Sequence, residues 1–201
     1  SGLRGADNIK RLPYTRQEAA EILKISPPDQ SIALLDFKAT KSFVQTADLT
    51  QYRIVHFATH GLLDSQHPEL SGLVLSRFDE KGQPLDGFLA LEDIFNLKLP
   101  AQLVVLSACQ SGEGKLIGGE GLVGLTRGFM YAGASTLNVS LWNVDDAATA
   151  QLMAHFYGGL LGSQHLKPAA ALRTAQLALM KHNEWKHPYF WAPFVIQGEW
   201  R

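Results

Sequence analysis

The residues of this chain whose side chains could act together in chemistry are a cysteine and a histidine. Cys109 is the only cysteine among 201 residues, and it stands in the segment VVLSACQSG, where an apolar run gives way to serine and glycine. His60 ends a similar run, RIVHFATH, 49 residues earlier. A cysteine attacks a carbonyl carbon as its thiolate, which a neighbouring imidazole stabilises, and the imidazole can protonate a leaving amine. The pair indicates nucleophilic catalysis. The alternative is that Cys109 packs as a small buried hydrophobe and that ATHG only ends a strand.

Glycine directly follows the histidine. At Gly61 the absence of a side chain lets the backbone approach a substrate carbonyl. The Gly61 N–H, together with that of Cys109, could form an oxyanion hole. His56 and Asp64 are weaker candidates for orienting His60. Strand alternation turns His56 in the opposite sense from its neighbours, which favours a structural role.

Strands must bring these residues to one edge of a sheet. Apolar runs predict strands at 31–37, 53–58, 72–76, 102–107, 135–141 and 194–197. Periodicity and end signals predict helices at 15–24, 40–47, 90–96, 120–131, 145–161 and 168–182. Thr15 and Glu18 have the spacing of a capping box. The alternation of helices with apolar strands favours an α/β fold with a mainly parallel sheet and helices on both faces. Functional groups of such a sheet lie in loops beyond its strands, which selects ATHG (58–61) and SACQSG (107–112).

Composition excludes several classes of function. The net charge is −1 and there is no basic stripe, so we expect no nucleic-acid partner and no membrane partner. A lone cysteine cannot form an internal disulfide, which favours a reducing, cytoplasmic compartment. The histidines show no metal-ligand spacing with cysteines or carboxylates, so we expect no metal. With 201 residues and no linker-like stretch, the chain is predicted to form one large domain over 1–201.

Five segments, in this order, resemble the CHAT domain family: HFATHG, LSACQSG, GGEGLVGLTRGF, AGASTLNVSLWNVDD and PYFWAPFVIQG. The resemblance runs from about Leu12 to Trp200. CHAT domains are caspase-like peptidases, related to caspases and separases. The resemblance implies a caspase-hemoglobinase-like three-layer sandwich, with His60 as base and acid and Cys109 as nucleophile. It also implies that peptide bonds are cleaved without a metal or cofactor.

Two departures separate the chain from true caspases. Ser107 stands where caspases have glutamine, and Gly112 comes one place late. The aspartate specificity of caspases is therefore not implied.

The segment WNVDD, which ends a predicted strand and opens a helix, offers candidates for substrate binding. Asp145 or Asp146 caps the helix and complements its dipole, or lines an S1 pocket. Separases, whose corresponding segment is similar, use an acidic pocket for a basic P1 residue, and such a carboxylate would select Arg or Lys. Trp142 forms a pocket wall or belongs to the core.

The resemblance also implies regulation. CHAT domains are often attached to helical repeats of the tetratricopeptide type, which gate them. In this family a strand commonly precedes the segment matching LPYTRQEAAEI, and only about a dozen residues precede that segment here. We therefore expect the chain to be the C-terminal part of a longer protein. The implied substrate is a protein or peptide, and the implied setting is bacterial signalling or defence. The alternatives are a catalytically silent caspase-like scaffold and another thiol-based acyl transfer to a different acceptor.

Overall fold

In a computed structural model, the described residues are 9, 11–64, 67–107 and 120–199. The strands of these residues are β1 (Ile54–Phe57), β2 (His60–Leu62), β3 (Gly72–Val74), β4 (Phe88–Ala90), β5 (Leu103–Leu106), β6 (Thr136–Ser140) and β7 (Phe194–Gly198). The α-helices are α1 (Thr15–Ile25), α2 (Lys41–Thr46), α3 (Leu91–Phe95), α4 (Glu120–Tyr131), α5 (Asp146–Leu161), α6 (Pro168–Met180) and α7 (Pro188–Trp191). All six predicted helices are confirmed to within two residues at each end. None of the described helices is long and apolar enough to cross a bilayer.

Four strands form a mixed sheet in the order β1–β5–β6–β7. The first three are parallel, with Val55 opposite Val104 and Val104 opposite Leu137. Strand β7 runs antiparallel to β6. Every residue of β5 and β6 is buried, because both faces of the sheet are covered, and this explains why these strands are not amphipathic. In this sheet β1, β5 and β6 are parallel, as predicted, and β7 is an antiparallel strand of the kind that a mainly parallel sheet allows.

Side chains of β5 alternate between two apolar cores. Val104 and Leu106 belong to a cluster that includes buried residues of α3 and α4. Leu103 and Val105 belong to a second cluster with α5 and α6, against which Ile22 of α1 also packs. Helices therefore cover both faces of the sheet, and the prediction of an α/β fold with this layering is confirmed.

The sequence did not predict a second sheet. Strands β2, β3 and β4 form a three-stranded antiparallel sheet in chain order. The prediction that ATHG forms a loop is therefore wrong at its last two residues, since His60 pairs with Val74 and Gly61 with Leu73. Each of these strands is only three residues long, too short for a period of two to be read reliably from sequence.

The predicted strand at 31–37 is also wrong. This segment is irregular and leads into a 3₁₀ helix at Asp36–Lys38. Asp36 adopts a left-handed backbone with φ of 51°. Its carboxylate binds two guanidinium groups, that of Arg11 at 2.6 Å and that of Arg16. The left-handed residue is incompatible with an extended strand, and the two arginines hold the chain in this bend.

Candidate active site

Two neighbouring parallel strands lead toward His60 and Cys109. Phe57 at the end of β1 lies opposite Leu106 at the end of β5. The pairing extends one residue further, because the Ser107 N–H donates to the Phe57 carbonyl at 3.2 Å. The two strands lie in one parallel sheet, as expected, and the structure shows that they are direct neighbours in it. His60 follows Phe57 by three residues and Cys109 follows Ser107 by two, although Cys109 itself lies outside the described residues.

His60 is held by the second sheet. It begins β2 and pairs with Val74 of the central strand β3. The Thr59 hydroxyl donates to the Val74 carbonyl, which adds a side-chain bond to the turn between β1 and β2. The next residue, Gly61, is buried and pairs with Leu73. The histidine therefore has a defined backbone position, as a general acid and base requires.

Asp146, at the start of α5, is electrostatically coupled to His60. Its carboxylate accepts a hydrogen bond from the Tyr14 N–H at 2.8 Å. Burial raises the pKa of Asp146, and the Tyr14 hydrogen bond counters this effect. The nearby carboxylates of Glu18 and Asp145 raise the pKa further, whereas the charge of His60 lowers it. The structure thus brings the charges of Asp146 and His60 within interaction range.

The other two candidates of the WNVDD segment make structural contacts. The Asp145 carboxylate accepts from the Ala148 N–H at 2.8 Å, and the residue has the extended conformation of an N-cap. The capping role predicted for Asp145 or Asp146 is therefore confirmed for Asp145. The half-buried Trp142 donates from its indole N–H to the Tyr189 carbonyl at 3.2 Å, which ties the end of β6 to α7.

Comparison with known proteins identifies the family. Residues 4–199 match the model of the CHAT domain. The chain belongs to the CHAT domain family. Tetratricopeptide repeat protein 28 of Homo sapiens is 32% identical over 221 residues, which cover 93% of this chain and 8% of that protein. The protein of the same name from Mus musculus is 32% identical over 225 residues, with the same coverage of 93% and 8%. The chain therefore spans about 8% of the length of these curated relatives.

This CHAT domain also contains a buried polar cluster of four residues that the sequence did not predict: Glu18, His56, Ser107 and Tyr157. The Nδ1 atom of His56 lies 2.9 Å from the Tyr157 hydroxyl. Its Nε2 atom lies 3.1 Å from the Ser107 hydroxyl and 2.8 Å from a Glu18 carboxylate oxygen. Glu18 is 1% exposed and Tyr157 is 2% exposed. The cluster joins α1, β1, α5 and the residue that follows β5.

The sequence interpretation of Glu18 as part of a capping box is wrong. Thr15 lies inside the first turn of α1, and its hydroxyl donates to the Leu12 carbonyl at 2.9 Å. Glu18 points into the protein instead. A signal was available, because Glu18 precedes Ile22 by four residues and shares its helix face, and Ile22 packs into the core. A carboxylate on a core-facing stripe predicts a buried partner.

The cluster has the composition of a hydrolytic Ser–His–Glu triad but not its geometry. In such a triad the nucleophile and the acid bind opposite ring nitrogens of the histidine. Here Ser107 and Glu18 both face Nε2 of His56, and Tyr157 occupies the Nδ1 side. Ser107 is only 5% exposed. A substrate carbonyl cannot reach the hydroxyl in this arrangement, so the cluster is a support and not a second nucleophilic site.

Proposed function

We propose that this CHAT domain is a cysteine endopeptidase with a caspase-like three-layer fold, in which Cys109 is the nucleophile and His60 the acid and base. The observation that supports this most strongly is the parallel pairing of β1 and β5, whose continuations carry the two residues. Family membership supports the same conclusion, because CHAT domains are related to caspase-like proteases. We also propose that residues 1–201 act as a single peptidase domain.

The chemistry proceeds through a thioester. The Cys109 thiolate attacks the scissile carbonyl carbon, and the resulting oxyanion accepts hydrogen bonds from the Gly61 and Cys109 N–H groups. The intermediate collapses, the C–N bond breaks, and protonated His60 gives its proton to the leaving amine. Neutral His60 then takes a proton from water, and the hydroxide attacks the thioester carbonyl. Breakage of the C–S bond releases the carboxylic acid and restores the thiolate.

Asp146 is proposed to select Arg or Lys at P1. Its half-buried carboxylate has a pKa that is raised by burial and by the carboxylates of Glu18 and Asp145, so its negative charge is poorly compensated. A basic P1 side chain would supply the missing positive charge through a charge-assisted hydrogen bond. Asp145 adds negative potential while it caps α5, and Trp142 is proposed as a wall of the pocket.

Regulation by helical repeats is the third part of the proposal. Both relatives are named tetratricopeptide repeat proteins, and the chain spans about 8% of their length. We infer that the domain works as the C-terminal part of a longer protein whose repeats, or a partner protein, gate its activity. A cytoplasmic location and a role in bacterial signalling or defence remain predictions from the sequence.

A P1 positional-scanning peptide library tests the activity and its specificity together. The purified chain should cleave after Arg or Lys, and Cys109→Ala should abolish cleavage. Asp146→Asn should raise KM for basic P1 peptides roughly tenfold or more, which is the expected cost of losing a charge-assisted hydrogen bond. Asp145→Asn is the comparison variant: it removes the adjacent charge while asparagine still caps the helix, so it should raise KM by less than Asp146→Asn.

The other outcomes separate the alternatives. Cysteine-dependent cleavage after apolar residues would retain the peptidase and refute the S1 role of Asp146. If no peptide is cleaved, a peptidyl electrophile should be used to label Cys109. Labelling would show a competent site that is held inactive, whereas absence of labelling would favour the catalytically silent scaffold. Cysteine-dependent product formation only with an added amine acceptor would indicate acyl transfer.

A further inference from the structure

The buried polar cluster meets the candidate active site at Ser107, the last described residue before Cys109. We propose that His56 is a positioning residue for the nucleophile: held between Glu18 and Tyr157, it fixes Ser107 and thereby the end of β5 from which the chain continues to Cys109. This inference rests on the proposed role of Cys109. It assigns a task to the first histidine of the segment HFATHG, which the proposed chemistry does not use.

The ring of His56 is oriented from both sides. The Tyr157 hydroxyl lies 2.9 Å from Nδ1. Burial, with a contribution from the charge of Glu18, raises the pKa of Tyr157 well above its ordinary value, so the phenol keeps its proton and can donate to Nδ1. The ring proton is then carried by Nε2. The Glu18 carboxylate near this atom has no proton to donate, and the Ser107 oxygen is available to accept the Nε2 proton. Protonation of the ring would leave a donor at Nε2 as well.

Ser107 is attached to β1 by two different bonds. Its N–H donates to the Phe57 carbonyl at 3.2 Å, and its hydroxyl lies 3.1 Å from His56 Nε2. Strand β5 ends at Leu106, so the His56 contact adds a side-chain attachment at the point where the ladder ends. A displacement of about 1 Å can cost two orders of magnitude in rate, and a fixed strand end therefore matters to a nucleophile two residues further on.

The energetics favour a role in geometry over a role in stability. Removing a carboxylate and an imidazole from water is costly, and apolar residues of similar volume commonly stabilise a protein as well or better. Glu18 and Tyr157 are nevertheless almost fully buried, and both lie against the His56 ring, the Tyr157 hydroxyl 2.9 Å from Nδ1 and the Glu18 carboxylate 2.8 Å from Nε2. A polar cluster of this kind specifies one arrangement of the elements that it joins.

The single cysteine makes the test unambiguous, because iodoacetamide alkylation of a thiol reports on Cys109 alone. Ser107→Ala removes only the acceptor of the His56 bond, and Tyr157→Phe removes only the hydroxyl that orients the ring. The matched control is Thr149→Val on α5, whose hydroxyl is buried and has no hydrogen-bond partner among the described residues. Each variant is compared with wild type in kcat, KM, the pH dependence of the alkylation rate and urea unfolding.

We expect Ser107→Ala to lower kcat roughly tenfold or more at an unchanged KM, and to change the rate or the pH midpoint of alkylation. Tyr157→Phe should change kcat and the alkylation profile in the same direction as Ser107→Ala does. Thr149→Val should change neither kcat nor the alkylation profile. If Ser107→Ala and Tyr157→Phe reduce only stability and keep the wild-type kcat and alkylation profile, the inference is overturned.

Failure of the proposed function gives a different pattern. If peptide cleavage is absent in wild type, the alkylation profile still tests the positioning of Cys109. A profile altered by Ser107→Ala but not by Thr149→Val would support the inference without peptidase activity. An identical alkylation profile in wild type, Ser107→Ala and Thr149→Val would overturn the inference.

Discussion

Gly72 provides a quantitative test of how His60 is held. This glycine lies in β3, the strand that pairs with β2, and a Cβ at this position would lie 2.4 Å from the Leu89 carbonyl oxygen and 3.0 Å from the Ala90 Cα. Comfortable contacts require roughly 3.5 Å, and these two neighbours are backbone atoms that cannot rotate away. Gly72→Ala must therefore push β3 and β4 apart by about 1 Å. Overpacking of this kind costs about 3 kcal/mol.

For a chain of this length, about 3 kcal/mol corresponds to a fall in Tm of about 6–12 °C. Thermal unfolding followed by circular dichroism measures it directly. The matched control is Gly158→Ala in α5, where no described atom outside the adjacent backbone of the helix lies within 4 Å of the added methyl group. Removing a glycine from an exposed helical position should stabilise the chain by about 0.5–1 kcal/mol, so the same chemical change should raise Tm.

The functional arm of this test uses temperatures at which Gly72→Ala is still folded. Because β3 carries β2, the shift should displace His60 and reduce peptide cleavage per folded molecule. A Tm within about 2 °C of wild type, together with unchanged cleavage, would refute the reasoning. It would mean that the second sheet adapts to the methyl group and does not fix the histidine.

Three further predictions concern charge and packing. Lys41→Met should cost about 1–3 kcal/mol in urea unfolding, because the Lys41 ammonium lies 2.8 Å from Asp93 and 2.9 Å from Asp86. Burial lowers the pKa of Lys41, but its two carboxylate partners outweigh this and raise it above 10.5, so the cost should persist from neutral pH to about 10 and shrink only above that. Burial raises the pKa of Asp146 from 3.8, so its charged form destabilises the fold and Asp146→Asn should be more stable than wild type at pH 7. This gain should be absent at low pH and should grow as pH rises through that pKa. Lower stability of Asp146→Asn at pH 7 would contradict this. Phe129→Ala should cost about 3–5 kcal/mol, because the ring is fully buried, and a loss below 1 kcal/mol would contradict this.

The parts of the fold that the sequence predicts are those whose burial is uniform or periodic. Strands β5 and β6 are buried along their whole length, so their apolar runs stand out. Helix α4 begins and ends where periodicity and the Ala132-Gly133 cap place it, and Gly133 has the positive φ of 116° that such a cap requires. The similar apolar runs of β1 and β5 likewise favour membership of one parallel sheet, and the structure adds that the two strands are direct neighbours.

The parts that the sequence could not predict depend on contacts distant along the chain. Residues 31–37 have strand-like composition, but Asp36 is bound by Arg11 and Arg16, and the resulting bend overrides local preference. Glu18 matches a capping pattern locally, yet its partner is His56 on β1. Spacing along α1 indicates that Glu18 is buried, but neither composition nor spacing identifies its distant partner, so the contacts that support the candidate site became visible only in three dimensions.

The charges around His60 connect the proposed chemistry with the proposed specificity. Three carboxylates, those of Glu18, Asp145 and Asp146, are close enough for the first and second to raise the pKa of the third. Attraction to His60 partly compensates for this excess, since it lowers the same pKa. When His60 is neutral this attraction is lost, and the Tyr14 hydrogen bond is left to oppose the effects of burial and of the two carboxylates on the Asp146 pKa. If Arg or Lys at P1 binds beside Asp146, as we propose, its positive charge would replace that of His60 once His60 has given up its proton. Binding of a basic P1 side chain would then favour proton transfer to the leaving amine as well as affinity.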